Sequence, residues 1–148
     1  MTEFISAYVR EIDQLYRTGL TTEHSFRPAL QRLLQDCTHC IVINEQTHID
    51  CGAPDLTIVK NKLPIAYIEA KDVNDTDLDG KKKNKEQFDR YKKALKIVAF
   101  TNYLDFHLYE EEELISCVKL ASVINDHIVL NEDAVGRFES FVDKLRLA

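Results

Sequence analysis

The stretch Cys51–Asp72 reads CGAPDLTIVKNKLPIAYIEAKD, two apolar runs around a polar turn with charged residues where a buried strand should avoid them. Leu56–Lys60 and Ile65–Lys71 carry the residue types of strands, and NKL, centred near Lys62, reads as the turn between them. A hairpin with that centre sets Asp55 opposite Glu69, with about 4.5–5.5 Å between their β-carbons. Lys71 lies two residues beyond Glu69 and shares its face, while Ala70 points to the other. Two carboxylates so close repel unless a cation sits between them. Such oxygen donors suit Mg²⁺, with Mn²⁺ as a substitute, because Mg²⁺ takes one or two carboxylates and completes its shell with water and substrate phosphate. A metal held there polarises a phosphodiester. A lysine beside it can orient or help deprotonate an attacking water and stabilise the charge that develops. The implied chemistry is metal-assisted phosphodiester hydrolysis.

The same residues also read as a strand-initiating aspartate and an ordinary same-face Glu–Lys pair on an edge, since short charged patterns arise by chance. A second cluster favours the chemical reading. In EQFDRY, Gln87 and Tyr91 are four apart and share one helical face. The order Asp, Glu-x-Lys, Gln-x-x-x-Tyr is more specific than any of its parts.

These residues need elements to hold them. Residues 2–18 place Phe4, Ile5, Tyr8, Val9, Ile12, Leu15 and Tyr16 on one helical face, with Gly19 as a stop. A second helix is expected over Ser25–Asp36 with Pro28 in its first turn, which leaves Glu23 and His24 at or before its start. Strands follow at Ile41–Asn44, Thr47–Asp50, Leu56–Lys60 and Ile65–Lys71. DVNDTDLDGKKKN reads as a loop, Lys85–Leu95 as a helix, and KIVAFTN, LDFHLY and LISCVKLA as further strands. Asn131 is expected to cap a final helix carrying Ala134, Val135, Phe138, Phe141, Val142 and Leu145. Helices at both ends of a run of strands imply an α/β/α sandwich around a central mixed β-sheet.

The chain has 148 residues, 45% hydrophobic and 30% charged, which fits a single domain with a real core. No apolar run is long enough to cross a bilayer, and the charged, amphipathic start MTEFISAYVREIDQLY lacks the form of a signal peptide. With four cysteines, these features lead to the expectation of a cytoplasmic protein that makes no membrane contact. A net charge of −6 argues against gripping nucleic acid by bulk electrostatics. The charge is uneven, however. KKKNKEQFDRYKKALK holds seven lysines and one arginine against Glu86 and Asp89 alone, so Lys81, Lys82, Lys83 and Lys85 are candidate phosphate contacts. A solvated helix face reads the same strip equally well from charge alone.

Cys37, Cys40, His48 and Cys51 have the ligand types for tetrahedral zinc. Against that, Cys40 opens an apolar strand and free cysteines are among the most buried residues. His24, His39 and His107 have no evident nucleophile partner, so a serine or cysteine hydrolase is not proposed.

GAPD, EAK and QFDRY, in this order, resemble the PD-(D/E)xK nuclease superfamily, and the spacing from Gly52 to Asp55 with the glutamine–tyrosine pair is similar to its RecB-like and Mrr-like branches. From about Thr22 to Tyr109, TEHSFRPALQRLL, CGAPD, IEAKD and TNYLDFHLY resemble the N-terminal nuclease domain of type ISP restriction–modification enzymes. The resemblance implies a restriction-endonuclease-like fold that cleaves double-stranded DNA, joined in one polypeptide to motor and methyltransferase domains. It implies Asp55, Glu69 and the Ala70 carbonyl as Mg²⁺ ligands, and Lys71 as the catalytic lysine. Gln87 and Tyr91 would position that lysine, a metal-bound water or a phosphate. Glu23 would be the acidic residue supplied from an early helix, although a helix-start acid favoured by the dipole reads equally well. Asp72 is read as a strand-end residue. Two alternatives remain open: a non-catalytic DNA-docking or protein-interaction module that keeps the fold, and a stand-alone repair nuclease or junction resolvase.

Overall fold

Helix α1, Thr2–Tyr16, forms where Ile5, Tyr8, Val9 and Ile12 recur at helical spacing and bury one stripe, and Phe4 falls outside that stripe and stays exposed. The structure is a computed structural model and describes residues 1–44 and 49–148. Helix α2 runs Arg27–Thr38, two residues later than expected, with Pro28 in its first turn, where a missing N–H costs nothing. Strands β1 (Ile41–Asn44), β2 (Leu56–Lys60) and β3 (Leu63–Ala70) follow, then helix α3 (Lys85–Ala94). Strands β4 (Ile97–Thr101), β5 (Asp105–Glu110) and β6 (Glu113–Lys119) complete the main sheet. A small hairpin of β7 (Ala121–Ile124) and β8 (His127–Leu130) precedes helix α4 (Val135–Arg146).

The sheet order is β1-β2-β3-β4-β5-β6, with β3 and β4 parallel and every other neighbour antiparallel. It is a mixed sheet. Helices α1, α2 and α4 pack on one face through a core that includes Ile12, Leu30, Leu34, Ile68, Phe106 and Phe138. Helix α3 covers the other face through Phe88 and Tyr91 against Val98, Phe100 and Tyr109. The architecture is the expected α/β/α sandwich. Among the described residues, no helix is long and apolar enough to cross a membrane.

The hairpin that carries the site reaches the expected register by another route. Its turn is the two-residue Asn61-Lys62, both at positive φ, rather than NKL. Close to the turn Val59 faces Pro64; beyond it Ile58 faces Ala66, so Ile65 is an extra residue in the ladder. That bulge restores the pairing of Leu56 with Ile68, and the alternation continues with Ala70 in the large core and Glu69 toward α3. Strand β3 ends at Ala70, one residue short of the expectation, yet the Lys71 N–H still donates to the Thr101 carbonyl at 2.7 Å.

Other expectations are corrected. Asn131 does not cap a helix with its side chain: Nδ2 donates to the Lys119 carbonyl and Oδ1 accepts from Ser122, and a 3₁₀ turn at Glu132–Ala134 intervenes before α4. LISCVKLA is not one strand, because Leu120 separates β6 from β7. The expected strand Thr47–Asp50 lies partly outside the described residues, and Ile49 makes only an isolated bridge to Gly52.

Phe106 ties β5 to α4, its ring 5.1 Å from Phe138 and 5.4 Å from Phe141. Phe106→Ala is expected to destabilise the domain by about 3–5 kcal/mol in denaturant titration, since a buried aromatic leaves a cavity its neighbours fill only in part.

Candidate active site

The site forms where β2 begins and β3 ends, between the N-terminal ends of α2 and α3. Asp55 lies in the bend before β2, and its Oδ2 accepts the Ala70 N–H at 2.8 Å, which fastens it to the end of β3. Its Oδ1 is 2.9 Å from Nη2 of Arg27, whose side chain is 4% exposed. Arg27 also contacts His24 Nδ1 and lies 3.4 Å from Asn44 Oδ1. Asp55 is thus gripped from both sides.

Glu69 is buried on the α3 side of β3. Its Oε2 accepts from Gln87 Nε2 at 3.2 Å and lies 3.8 Å from Lys71 Nζ. Its Oε1 is buried without a hydrogen-bond partner. Burial, and next the Asp55 charge, push the Glu69 carboxyl up to about 8, against the pull of Lys71. Lys71 is largely covered, with Nζ 5.9 Å from the centre of the Phe88 ring.

The structure brings Asp55, Glu69, Lys71 and Gln87 together at one end of the sheet; Gln87, expected to position the lysine, a metal-bound water or a phosphate, donates to Glu69. Tyr91 is buried against Gly52, where φ is +132° and an added β-carbon would sit 2.8 Å from the tyrosine oxygen. Only glycine fits that approach. Burial raises the Tyr91 hydroxyl above its ordinary value, and the Glu69 charge adds to the shift. Glu23 is half-buried just before α2; its carbonyl accepts from Tyr103 at 2.9 Å, and its charge reaches Glu69. Asp72 is exposed and caps its own turn by accepting the Asn74 N–H.

Arg27 is the residue that sequence reasoning missed. Its signal was legible: it shares a helical stripe with Leu30 and Leu34, both fully buried, and an arginine on a core-facing stripe needs a partner.

The basic strip stands on a pinned loop. Asp77 accepts the N–H groups of Lys81, Lys82 and Asn84, and these bonds hold its carboxyl below the usual range. Asn84 donates on to Asp75 and to the Asp77 carbonyl. Lys83 pairs with Asp75 at 3.4 Å and Lys85 with Asp89 at 2.6 Å. Among the described residues no carboxylate lies within ion-pair distance of Lys81 or Lys82.

Among the described residues no three histidine, cysteine or acidic side chains are grouped to hold a metal. Cys37 packs in the large core and Cys51 in the small one, and His48 lies outside the described residues. At the sheet end, by contrast, an unpaired buried carboxylate oxygen and a second carboxylate meet a backbone end. That donor set fits Mg²⁺, which needs few protein ligands.

No family model matches the sequence, and no curated protein does either. Among solved structures, a chain in the cryo-EM structure of a DrdV–DNA complex aligns with a TM-score of 0.72 at 21% identity. The alignment covers 99% of this chain and 14% of that one. The fold is restriction-endonuclease-like.

Because folding raises the Glu69 carboxyl from its ordinary 4.5 to about 8, the folded state binds that proton more tightly than the unfolded chain. The resulting stabilisation is complete below 4.5 and is lost as pH rises through about 8. Chelator-treated protein should therefore lose melting temperature over that window, and Glu69→Gln, which cannot ionise, should flatten the slope. Equal slopes would show that Glu69 does not carry the effect.

Proposed function

We propose that this chain is a Mg²⁺-dependent DNA endonuclease domain of the PD-(D/E)xK type, the cleavage module of a larger restriction–modification enzyme. The observation that carries the reading is the buried, partnerless Glu69 Oε1 beside Asp55 and Lys71 at one end of the sheet. A structural ion pair has no use for a second buried carboxylate with an oxygen left over.

Asp55, Glu69 and the Ala70 carbonyl would hold the ion, and when bound it would supply charge stabilisation for the phosphate and its leaving oxygen. The rest is the work of the chain. Gln87 fixes Glu69 from α3 through Oε2, which leaves Oε1 as the oxygen without a hydrogen bond. Arg27 and the Ala70 N–H fix Asp55. Lys71 holds an ammonium beside Glu69, close to a phosphate seated there, where it orients the attacking water and donates to the charge forming on phosphorus-bound oxygen. Phe88 and Tyr91 exclude solvent from the α3 side.

The DNA partner is supported by that chemistry, by the pinned basic loop and by a fold shared with a chain in a DNA complex. Motor and methyltransferase domains in the same polypeptide agree with the small share, 14%, that this fold occupies in that larger chain.

Asp55→Ala, Glu69→Gln and Lys71→Ala should each lower Mg²⁺-dependent nicking of a plasmid by roughly a hundredfold or more while melting as folded proteins. Gln87→Ala should cost less, about tenfold, because Glu69 keeps its place in β3. Full cleavage by any of the first three would place the chemistry elsewhere.

Lys81→Glu with Lys82→Glu should weaken DNA binding and lower the salt slope by about one per lost phosphate contact. Lys83→Glu should do less, since Lys83 already pairs with Asp75. An unchanged slope would remove the loop from the DNA path.

A further inference from the structure

The Asp55 carboxylate is fixed more completely than a metal ligand requires. Oδ1 lies 2.9 Å from the Arg27 guanidinium and Oδ2 accepts the Ala70 N–H at 2.8 Å, so one oxygen is tied to α2 and the other to β3. Arg27 is itself held: its side chain is 4% exposed, it contacts His24 Nδ1, and Asn44 Oδ1 is 3.4 Å from Nη1. A guanidinium is always charged and offers a rigid set of donors. A divalent ion that approached both oxygens of Asp55 at once would have to lie beside that charge.

We infer that Arg27 is a specificity-determining residue for the metal: by occupying Oδ1 it restricts Asp55 to coordination through one oxygen, which favours Mg²⁺ over Ca²⁺. The inference rests on the metal site proposed above. Its physical basis is the difference between the ions. Mg²⁺ takes single oxygens at 2.0–2.1 Å in near-octahedral geometry and keeps several waters, whereas Ca²⁺ collects six to eight oxygens at longer distance and readily takes a carboxylate through both. Rigid one-oxygen ligands suit the first ion and starve the second. Glu69 adds to this restriction, because Gln87 occupies its Oε2 and only Oε1 is left over.

The test is competition calorimetry without DNA. Mn²⁺ is bound to the protein and displaced with Mg²⁺ or Ca²⁺ for the wild type, Arg27→Gln, Arg27→Lys and Asp55→Ala, with a thermal melt on each. The readout is the ratio of Mg²⁺ to Ca²⁺ affinity, because loss of a buried positive charge shifts both absolute affinities and does not by itself shift their ratio. Arg27→Gln is expected to reduce the preference for Mg²⁺ by about tenfold. Arg27→Lys, which keeps the charge on a single donor point, should fall between. If Arg27→Gln fails to fold, an intermediate ratio in Arg27→Lys supports the inference and a wild-type ratio overturns it. A folded Arg27→Gln with an unchanged ratio overturns it while leaving the metal site intact. A wild type whose Mn²⁺ binding survives Asp55→Ala refutes the metal site, and the role of Arg27 with it.

Discussion

Two carboxylates are forced together in a largely buried place, and much of the surrounding structure answers their repulsion. Asp55 stands just before β2 and Glu69 near the end of β3, so the pairing that closes the hairpin also brings like charges together. The low-dielectric setting makes that costly unless each is compensated. The compensation arrives from opposite layers. Arg27, on α2, neutralises Asp55 from below the sheet; Gln87, on α3, and Lys71, at the end of β3, address Glu69 from above. Even so, burial and the Asp55 charge hold the Glu69 carboxyl well above its ordinary range, against the pull of Lys71.

This explains why the flanking elements begin where they do. Arg27 reaches Asp55 because α2 starts at the sheet end, and the segment before it is tied down by the Tyr103 hydroxyl on the Glu23 carbonyl. Tyr103 is a bulky, fully buried residue at φ +75°, a conformation rarely adopted without a reason. It is held there by Asn102, whose side-chain oxygen accepts the N–H groups of Leu104 and Asp105, and by Tyr8, which donates to the Tyr103 carbonyl. On the opposite layer, the close passage of Tyr91 over Gly52 sets the height of α3 and therefore the reach of Gln87.

The layers and most strands could be read from periodicity, because apolar spacing reports burial directly. The grouping of Asp55, Glu69 and Lys71 was also legible, since same-face placement of Glu69 and Lys71 follows from the pleat alone. The route to the register was not: the Asn61-Lys62 turn and the bulge at Ile65 offset one another, and an NKL turn gives the same pairing. The β7–β8 hairpin escaped notice because its turn is Asn125-Asp126, without the glycine that usually marks two successive positive φ values, and Glu111-Glu112 makes the same turn between β5 and β6 with even less signal. Arg27 escaped because its partner lies 28 positions away in another layer; only its place on an apolar stripe hinted at it. Long-range pairing between charges has no local signature.

The most direct test of the carboxylate pair as a metal site is a calorimetric Mn²⁺ titration of the wild type beside Asp55→Ala, both verified as folded. Saturable binding of about one ion in the wild type that vanishes in the variant is the predicted result. Superimposable titrations from two folded proteins would contradict it and leave Asp55, Glu69 and Lys71 as a buried structural cluster.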